Sequence, residues 1–133
     1  MSSVKPLAVQ GEKFAIEWAV DSRERMPALE YFKTLEKKER QKMITLFKRL
    51  ADQGDIASRE HFKSLGKQGE GLWEFKHHQL RFLGDFRPGG RFIVAHGLRK
   101  KQDDLDPADI ARAKRFLDEH DEREARERQK AKK

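Results

Sequence analysis

Basic residues and histidines crowd one stretch of the chain, from Leu72 to Lys101, and they are residue types suited to chemistry on a phosphate. Seven lysines and arginines stand there against two carboxylates, Glu74 and Asp85. The cations are Lys76, Arg81, Arg87, Arg91, Arg99, Lys100 and Lys101, and the histidines are His77, His78 and His96. Arginine offers a planar fork to phosphate oxygens, lysine offers a point charge, and histidine exchanges protons near neutral pH.

This set of residue types fits RNA cleavage by the ribose 2′-hydroxyl. That reaction needs a base for the hydroxyl, cations for the crowded phosphorane and an acid for the 5′-oxygen. We expect no metal and no cofactor, because His77 and His78 are adjacent and would point to opposite faces of a strand, and no ligand spacing suggests zinc. Spacing alone also allows a surface that only binds phosphate or an acidic partner.

Strand patterns position these residues. Leu72 to Lys76, Leu80 to Phe86 and Phe92 to Leu98 are three short predicted strands, and the sequence Arg87-Pro88-Gly89-Gly90 predicts a turn between the last two. A tight turn would place Arg81 opposite His96, whereas a slip by one residue would place it opposite Gly97. The residues alone also allow Arg81 to pair with Asp85, and His96 to be a hydrogen-bonded core residue.

The rest of the chain predicts helices around one more strand. Alternation from Phe14 to Val20 indicates the first strand, and a helix starting near Pro27 is followed by a second with an apolar stripe and a stop at Gly54. Together these two helices predict a hairpin. After a polar connector from Gln53 to Gly71 and the three strands, the pair Asp106-Pro107 predicts the start of a C-terminal helix.

These elements predict an α+β fold: a small, twisted, mainly antiparallel sheet of about four strands, packed on an N-terminal helical hairpin, with a C-terminal helix. We divide the chain into a flexible leader over residues 1–13, one domain over 14–117, and a charged helical extension or disordered tail over 118–133. With 36% apolar and 40% charged residues, the core must depend on a few aromatic side chains.

Composition also predicts where the protein acts. The formal net charge is +7, which favours anionic partners, and the absence of cysteine excludes disulfides and thiolate metal sites. No apolar run approaches the length of a membrane span, and the first ten residues do not resemble a signal peptide. We therefore expect a cytoplasmic protein with no membrane partner.

The order of elements and three motifs resemble the RelE/ParE superfamily of toxins, in its phage-derived HigB-like branch. The motifs are Gly71-Leu72-Trp73-Glu74-Phe75-Lys76, Leu80-Arg81-Phe82, and the run from Arg91 to Lys101 that contains His96-Gly97-Leu98-Arg99-Lys100-Lys101. The resemblance spans about residues 14–117. It implies the toxin of a type II toxin–antitoxin system, an endoribonuclease that cleaves messenger RNA on the ribosome and is silenced by an antitoxin with a helix-turn-helix domain.

The resemblance also implies site residues. Arg81 matches the strand arginine of the family and is expected to contact the phosphate, Lys100 and Lys101 match its paired lysines, and Lys76 stands where arginine is commoner. Arg99 belongs to the same motif as the paired lysines. We predict that the catalytic residues are Lys76, His77, His78, Arg81, Arg99, Lys100 and Lys101. Because no tyrosine follows Tyr31, His77 or His78 is expected to replace the proton donor of some relatives. RNA binding is assigned to Arg87, Arg91 and His96.

Two other functions fit the same residues. A ParE-like toxin would use this scaffold to inhibit DNA gyrase without cutting RNA. A binding module without catalysis would use the basic face only for salt-dependent affinity for nucleic acid or an acidic partner.

Overall fold

The computed structural model describes residues 4–54 and 60–131, and its centre is a six-stranded mixed sheet. The strands are β1 (Leu7–Gln10), β2 (Ala15–Trp18), β3 (Phe62–Ser64), β4 (Trp73–His77), β5 (Leu80–Arg87) and β6 (Arg91–Arg99), in the spatial order β1-β2-β6-β5-β4-β3. β2 runs parallel to β6, and the other pairs are antiparallel. The helices are α1 (Pro27–Lys33), α2 (Lys37–Gln53) and α3 (Pro107–Ala131).

Helices cover both faces of the sheet because the central strands are apolar on both sides. Alternate residues of β5, such as Phe82, face α1 and α2 and form an aromatic core with Trp18, Phe47 and Phe75. On the other face, Leu83 belongs to a smaller core shared with α3. Strands buried on both faces of a sheet tend to contain continuous apolar runs, and the segment from Phe92 to Ala95 of β6 follows this rule, whereas Arg81 and Asp85 interrupt the apolar residues of β5.

The prediction of about four strands packed on an N-terminal helical hairpin was wrong. β1 lies in the leader that we expected to be a flexible arm, and β3 lies in the connector from Gln53 to Gly71. Both are edge strands of three or four residues, too short for an alternating pattern to reveal. The helical hairpin also fails, because α1 has only seven residues and packs mainly against β6. Residues 1–3 of the leader, 55–59 of the connector and 132–133 of the tail lie outside the described residues.

Several individual elements were predicted correctly. The first strand and the three strands of the second half are present as β2, β4, β5 and β6. α2 ends at Gly54, whose φ of 75° is the left-handed conformation that glycine adopts readily. α3 begins as expected, because the Asp106 side chain accepts a hydrogen bond of 2.9 Å from the backbone N–H of Ala108.

Neither register expected for the β5–β6 hairpin holds along its length. Arg87 pairs with Arg91 at the turn, which is the alignment that would place Arg81 opposite Gly97. The register then shifts between the pairs Leu83–His96 and Gly84–Val94, so one extra residue of β6, Ala95, forms a bulge. Arg81 therefore lies opposite Leu98.

Helix α3 extends to Ala131, and polar contacts hold it to the sheet as far as Glu124. The backbone N–H of Val20 donates to Nδ1 of His120 at 2.9 Å, and that of Ser22 donates to Glu119 at 2.8 Å. The segment from residue 118, predicted as a solvated extension or frayed tail, therefore contributes its first two turns to this contact.

Burial of His120 makes the stability of the fold depend on pH. Its side chain is 1% exposed, and burial lowers its pKa, with Glu124 and Asp121 opposing that effect and Arg91 and Arg123 adding to it. Below about pH 6.5 the unfolded chain binds a proton at this histidine that the folded chain resists, so acid favours unfolding. We expect the free energy of unfolding to fall by up to about 1.4 kcal/mol per pH unit for this group as the pH drops below about 6.5, until the lowered pKa of the folded state is reached.

Urea unfolding at several pH values measures this slope in the wild type and in His120→Gln. The slope should be weaker in His120→Gln and unchanged in His78→Gln, because His78 is exposed at a turn. Equal slopes in all three proteins would contradict this assignment.

Candidate active site

The most buried charged pair of the described residues lies on the α3 face of the sheet. Arg81 of β5 is 4% exposed, and its Nε lies 3.7 Å from Oε2 of Glu74, a β4 residue that is 3% exposed. Nη1 of Arg81 donates to the backbone carbonyls of His78, at 2.5 Å, and Leu80, at 3.0 Å. Burial lowers the pKa of Arg81, and the charge of Glu74 opposes that effect. Arg81 therefore braces the β4–β5 turn and pairs with Glu74, and not with Asp85.

Beside this pair, an open groove separates β3 and β4 from the start of α3. It encloses about 580 Å³. Its lining residues include Lys63, Ser64, Glu74, Lys100, Asp103 and Asp104. Nζ of Lys63 lies 4.0 Å from Oε1 of Glu74, so this carboxylate lies between two cations, Lys63 and Arg81.

Two more predicted cations lie near the groove. Lys76 is the cross-strand partner of Arg81, and paired residues of neighbouring strands share a face, so Lys76 belongs to the α3 face. Lys100 lines both the groove and an adjoining depression of about 240 Å³, which Lys101 also lines. The backbone N–H of Lys100 donates to the carbonyl of Gln79 at 2.7 Å, which fixes the end of β6 beside the β4–β5 turn. The structure thus brings Lys76, Arg81, Lys100 and Lys101 to one side of the sheet.

The other predicted catalytic residues lie elsewhere. Arg99 is on the α2 face, where its Nη2 lies 2.6 Å from Oε1 of Glu39. His77 shares that face, and burial, followed by the positive charges of His78 and Lys42, lowers its pKa. His78 is exposed at the turn with a φ of 53°, and its ring centroid lies 4.2 Å from that of His77. These histidines face away from the groove or lie at its margin.

The three residues assigned to RNA binding each contact a carboxylate of α3. Arg87 lies 3.0 Å from Asp121, and Arg91 lies 2.5 Å from Glu124. His96 lies 2.8 Å from Asp109 and is 13% exposed. The hydrogen bonds raise the pKa of both arginines, while burial lowers the pKa of His96. In this structure all three hold α3 against the sheet.

One group of side chains among the described residues has the spacing of metal ligands: Glu17, His120 and Glu124 lie within 4.8 Å of one another. Its chemistry favours ion pairing over metal binding. Nδ1 of His120 accepts the Val20 N–H, so the neutral ring carries its proton on Nε2, the atom directed at Glu124. The guanidinium of Arg91 contacts both carboxylates, at 3.5 Å for Glu17 and 2.5 Å for Glu124.

Sequence reasoning missed two groove residues, Lys63 and Glu74. Lys63 lies in β3, inside the segment interpreted as a connector, and the short alternation Phe62, Lys63, Ser64 is too brief to signal a strand. The sequence does indicate a role for Glu74, because a carboxylate between Trp73 and Phe75 in an apolar strand needs a buried partner.

A comparison with protein families matches residues 30–118 to a family described as phage-derived protein Gp49-like (DUF891). The chain belongs to this family. The Gp49-like family is related to toxin–antitoxin systems, and at the family level it is associated with RNase-like toxins. Membership therefore implies an antitoxin partner. No curated protein matches the chain.

The Gp49-like region contains every groove residue named above, together with α2 and about the first half of α3. Strands β1 and β2 lie before the matched region, although β2 pairs with the central strand β6. Within residues 4–54 and 60–131, no helix has the length and apolar character needed to cross a bilayer.

Proposed function

We propose that this Gp49-like protein is the toxin of a type II toxin–antitoxin pair and that it cleaves messenger RNA on the ribosome. The observation that carries this proposal is the cluster of lysines on the α3 face: Lys63 and Lys100 line the groove beside the buried pair of Arg81 and Glu74, and Lys76 is the cross-strand neighbour of Arg81. Glu70, Asp103 and Asp104 also line the groove, so the phosphate is assigned to the part of this face nearest Lys76 and Lys100. Their ammonium groups suit a substrate whose negative charge increases in the transition state.

The reaction proposed is transfer of the phosphate to the neighbouring hydroxyl. The ribose 2′-oxygen forms a bond to phosphorus while the bond from phosphorus to the 5′-oxygen breaks. A base takes the 2′-hydroxyl proton and an acid returns one to the 5′-oxygen, which leaves a 2′,3′-cyclic phosphate and a 5′-hydroxyl. Lys76 and Lys100 are assigned to the phosphorane charge, with Lys63 and Lys101 beside them. No step requires a metal ion.

Arg81 is assigned a different role from the phosphate contact implied by the family resemblance. Its side chain is 5% exposed and is committed to Glu74 and to the His78 and Leu80 carbonyls. It is therefore a positioning residue, which fixes the β4–β5 turn and the strand that carries Lys76.

The proposed partners are messenger RNA on the ribosome and an antitoxin with a helix-turn-helix domain.

The double variant Lys76→Ala/Lys100→Ala tests the site. Loss of charge stabilisation at a developing phosphorane is expected to lower the cleavage rate at least about a hundredfold, because one preorganised donor already contributes that much. Cleavage is measured by mapping transcript 5′ ends after induction, and with purified ribosomes, where the new 3′ ends are tested for a 2′,3′-cyclic phosphate. The matched control is Lys33→Ala/Lys130→Ala, which removes two exposed lysines far from the groove and should cut like the wild type.

Three results would overturn parts of this proposal. Equal cleavage by the double variant and the control would reject the site, and products with 3′-hydroxyl and 5′-phosphate ends would reject the attack by the ribose 2′-hydroxyl. Growth arrest without new transcript ends, accompanied by inhibited gyrase, would replace the proposed function with the ParE-like one.

A further inference from the structure

Helix α2 exposes a face that is basic along most of its length. Its exposed residues are Lys37, Lys38, Gln41, Thr45, Lys48 and Arg49, followed at the C-terminal end by Asp52 and Gln53, so four of the six exposed residues before Ala51 are basic. Lys42 adds a fifth cation at the margin of the face. We call Lys37, Lys38, Lys42, Lys48 and Arg49 the basic stripe. At 1.5 Å per residue it is about 18 Å long.

Nearby carboxylates do not neutralise the stripe. Glu39 points to one side of the helix, where it is bonded to Arg99, and this hydrogen bond lowers its pKa. Asp52 lies beyond the stripe, near the end of the helix, and accepts the backbone N–H of Glu12 at 3.3 Å. The stripe is therefore a line of positive charge on the side of the sheet opposite the groove.

The composition of the stripe discriminates among anionic partners. A protein partner normally requires apolar or aromatic anchors, and lysine is depleted in such interfaces. An amphipathic helix that lies on a membrane must offer its apolar face to the lipid, but the apolar face of α2 is buried through Met43, Leu46, Phe47 and Leu50. Closely spaced lysines without apolar neighbours instead suit the regular charges of a nucleic acid backbone.

The stripe leads towards the groove. Glu39 of α2 is bonded to Arg99, whose cross-strand partner is Leu80, the first residue of β5, so the first half of α2 lies beside the β4–β5 turn. His77 and His78 continue the polar surface onto that turn, and Lys76, the next residue along β4, lies on the groove face. A strand that leaves the groove past this turn would reach Lys42 and Lys38 first, and then Lys48 and Arg49.

We propose that the basic stripe of α2 binds the phosphates of the single RNA strand whose scissile bond lies in the groove, on a path around the turn that carries His77 and His78. The inference rests on the proposed function for the identity of the strand as RNA. It assigns His77, His78 and the stripe to substrate binding outside the cleaved bond, in a region that the groove itself does not reach.

The test uses RNA that cannot be cleaved, so that binding is measured apart from catalysis. The full-length protein is titrated with a long single-stranded 2′-O-methyl RNA and with a 2′-O-methyl dinucleotide, each over a range of salt concentrations. The stripe variant is Lys38→Gln/Lys48→Gln/Arg49→Gln, and its matched control, Arg126→Gln/Arg128→Gln/Lys130→Gln, removes three exposed cations from α3. Glutamine keeps a high helix propensity, and thermal unfolding of each variant checks the fold.

We expect the stripe variant to bind the long RNA about 10- to 100-fold more weakly at low salt, with the slope of log affinity against log salt reduced by about 2, because three phosphate contacts are lost. Its affinity for the dinucleotide should match that of the wild type, as should both affinities of the control. Equal losses in the two variants would mean that only net charge matters, and unchanged affinity in the stripe variant would mean that the stripe binds something else. Either result overturns the proposal.

Binding measurements with RNA duplexes and with anionic vesicles separate this proposal from its alternatives. Tighter binding of an RNA duplex than of the single strand, lost in the stripe variant, would assign the stripe to structured RNA and overturn the proposal of the substrate strand. Loss of binding to anionic vesicles without loss of RNA binding would also overturn it. The two proposals can also fail separately. If the long RNA binds through the stripe but unmodified messenger RNA is not cleaved on ribosomes, the proposed function is rejected and the proposal that the stripe binds RNA is retained.

Discussion

Replacing Arg81 with alanine is expected to lower the free energy of unfolding by about 3–5 kcal/mol, because it leaves the carboxylate of Glu74 buried without its partner. Both side chains are about 5% exposed or less, so water cannot replace the lost guanidinium. The carbonyl of His78 also loses its hydrogen-bond donor. Urea unfolding followed by circular dichroism measures the change.

Two comparisons separate this explanation from a simple loss of packing. The double variant Arg81→Met/Glu74→Leu removes both charges and should recover much of the loss, since an apolar replacement of a buried ion pair is often neutral. Arg25→Ala is the matched control, because Arg25 pairs with the equally buried Asp21, whose Oδ1 also accepts the N–H groups of Arg23 and Arg25. That change should cost less than about 1 kcal/mol. An Arg81→Ala protein as stable as the Arg25→Ala protein would contradict the assignment.

Adding one methyl group at Gly84 is expected to cost about 3 kcal/mol or more, at the upper end of the effects of overpacking. A Cβ at this position would lie 2.1 Å from the backbone oxygen of Ile93 and 2.8 Å from the ring of Phe92. Gly84 lies beside the bulge at Ala95, in the centre of the sheet, so strands β5 and β6 would have to separate to make room.

The control for Gly84→Ala is Gly66→Ala, measured by the same urea unfolding. A Cβ at Gly66 meets nothing within 4 Å, but the φ of 65° is unfavourable for alanine. With a ψ of −157°, Gly66 lies in a backbone region that essentially only glycine adopts, so the substitution should cost about 1–3 kcal/mol from backbone strain alone. If Gly84→Ala costs no more than Gly66→Ala, the close approach of the two strands is not important for stability.

The parts of the fold that the sequence predicts are those with long, regular patterns. β5 and β6 are eight and nine residues long, and α3 begins at the aspartate and proline expected to start it. β1 and β3 were missed because strands of four and three residues do not show a period. The parallel pairing of β2 with β6 joins segments far apart in the chain, and no local pattern specifies such a pair.

Some residues of the candidate site could also be predicted from the sequence, and others could not. Lys76 and the pair Lys100 and Lys101 could be selected from motifs, because each stands beside a strand whose existence was clear. The face on which Arg99 and His96 lie depends on the bulge at Ala95, which shifts the alternation of β6 by one residue. The commitment of Arg81 to Glu74 depends on three-dimensional packing, so sequence spacing alone directed attention to Asp85, which pairs with Arg87.

The parallel pair of β2 and β6 also sets an order of events during synthesis. Trp18 lies beside Val94, so the two partners are separated by more than half of the chain. A contact between such distant segments has a large loop-closure cost and slows folding. The first strands and helices emerge from the ribosome long before β6, and they cannot complete their core until it follows. The groove residues of β4 and those at the end of β6 are therefore assembled late, and a chain interrupted before β6 has no finished site.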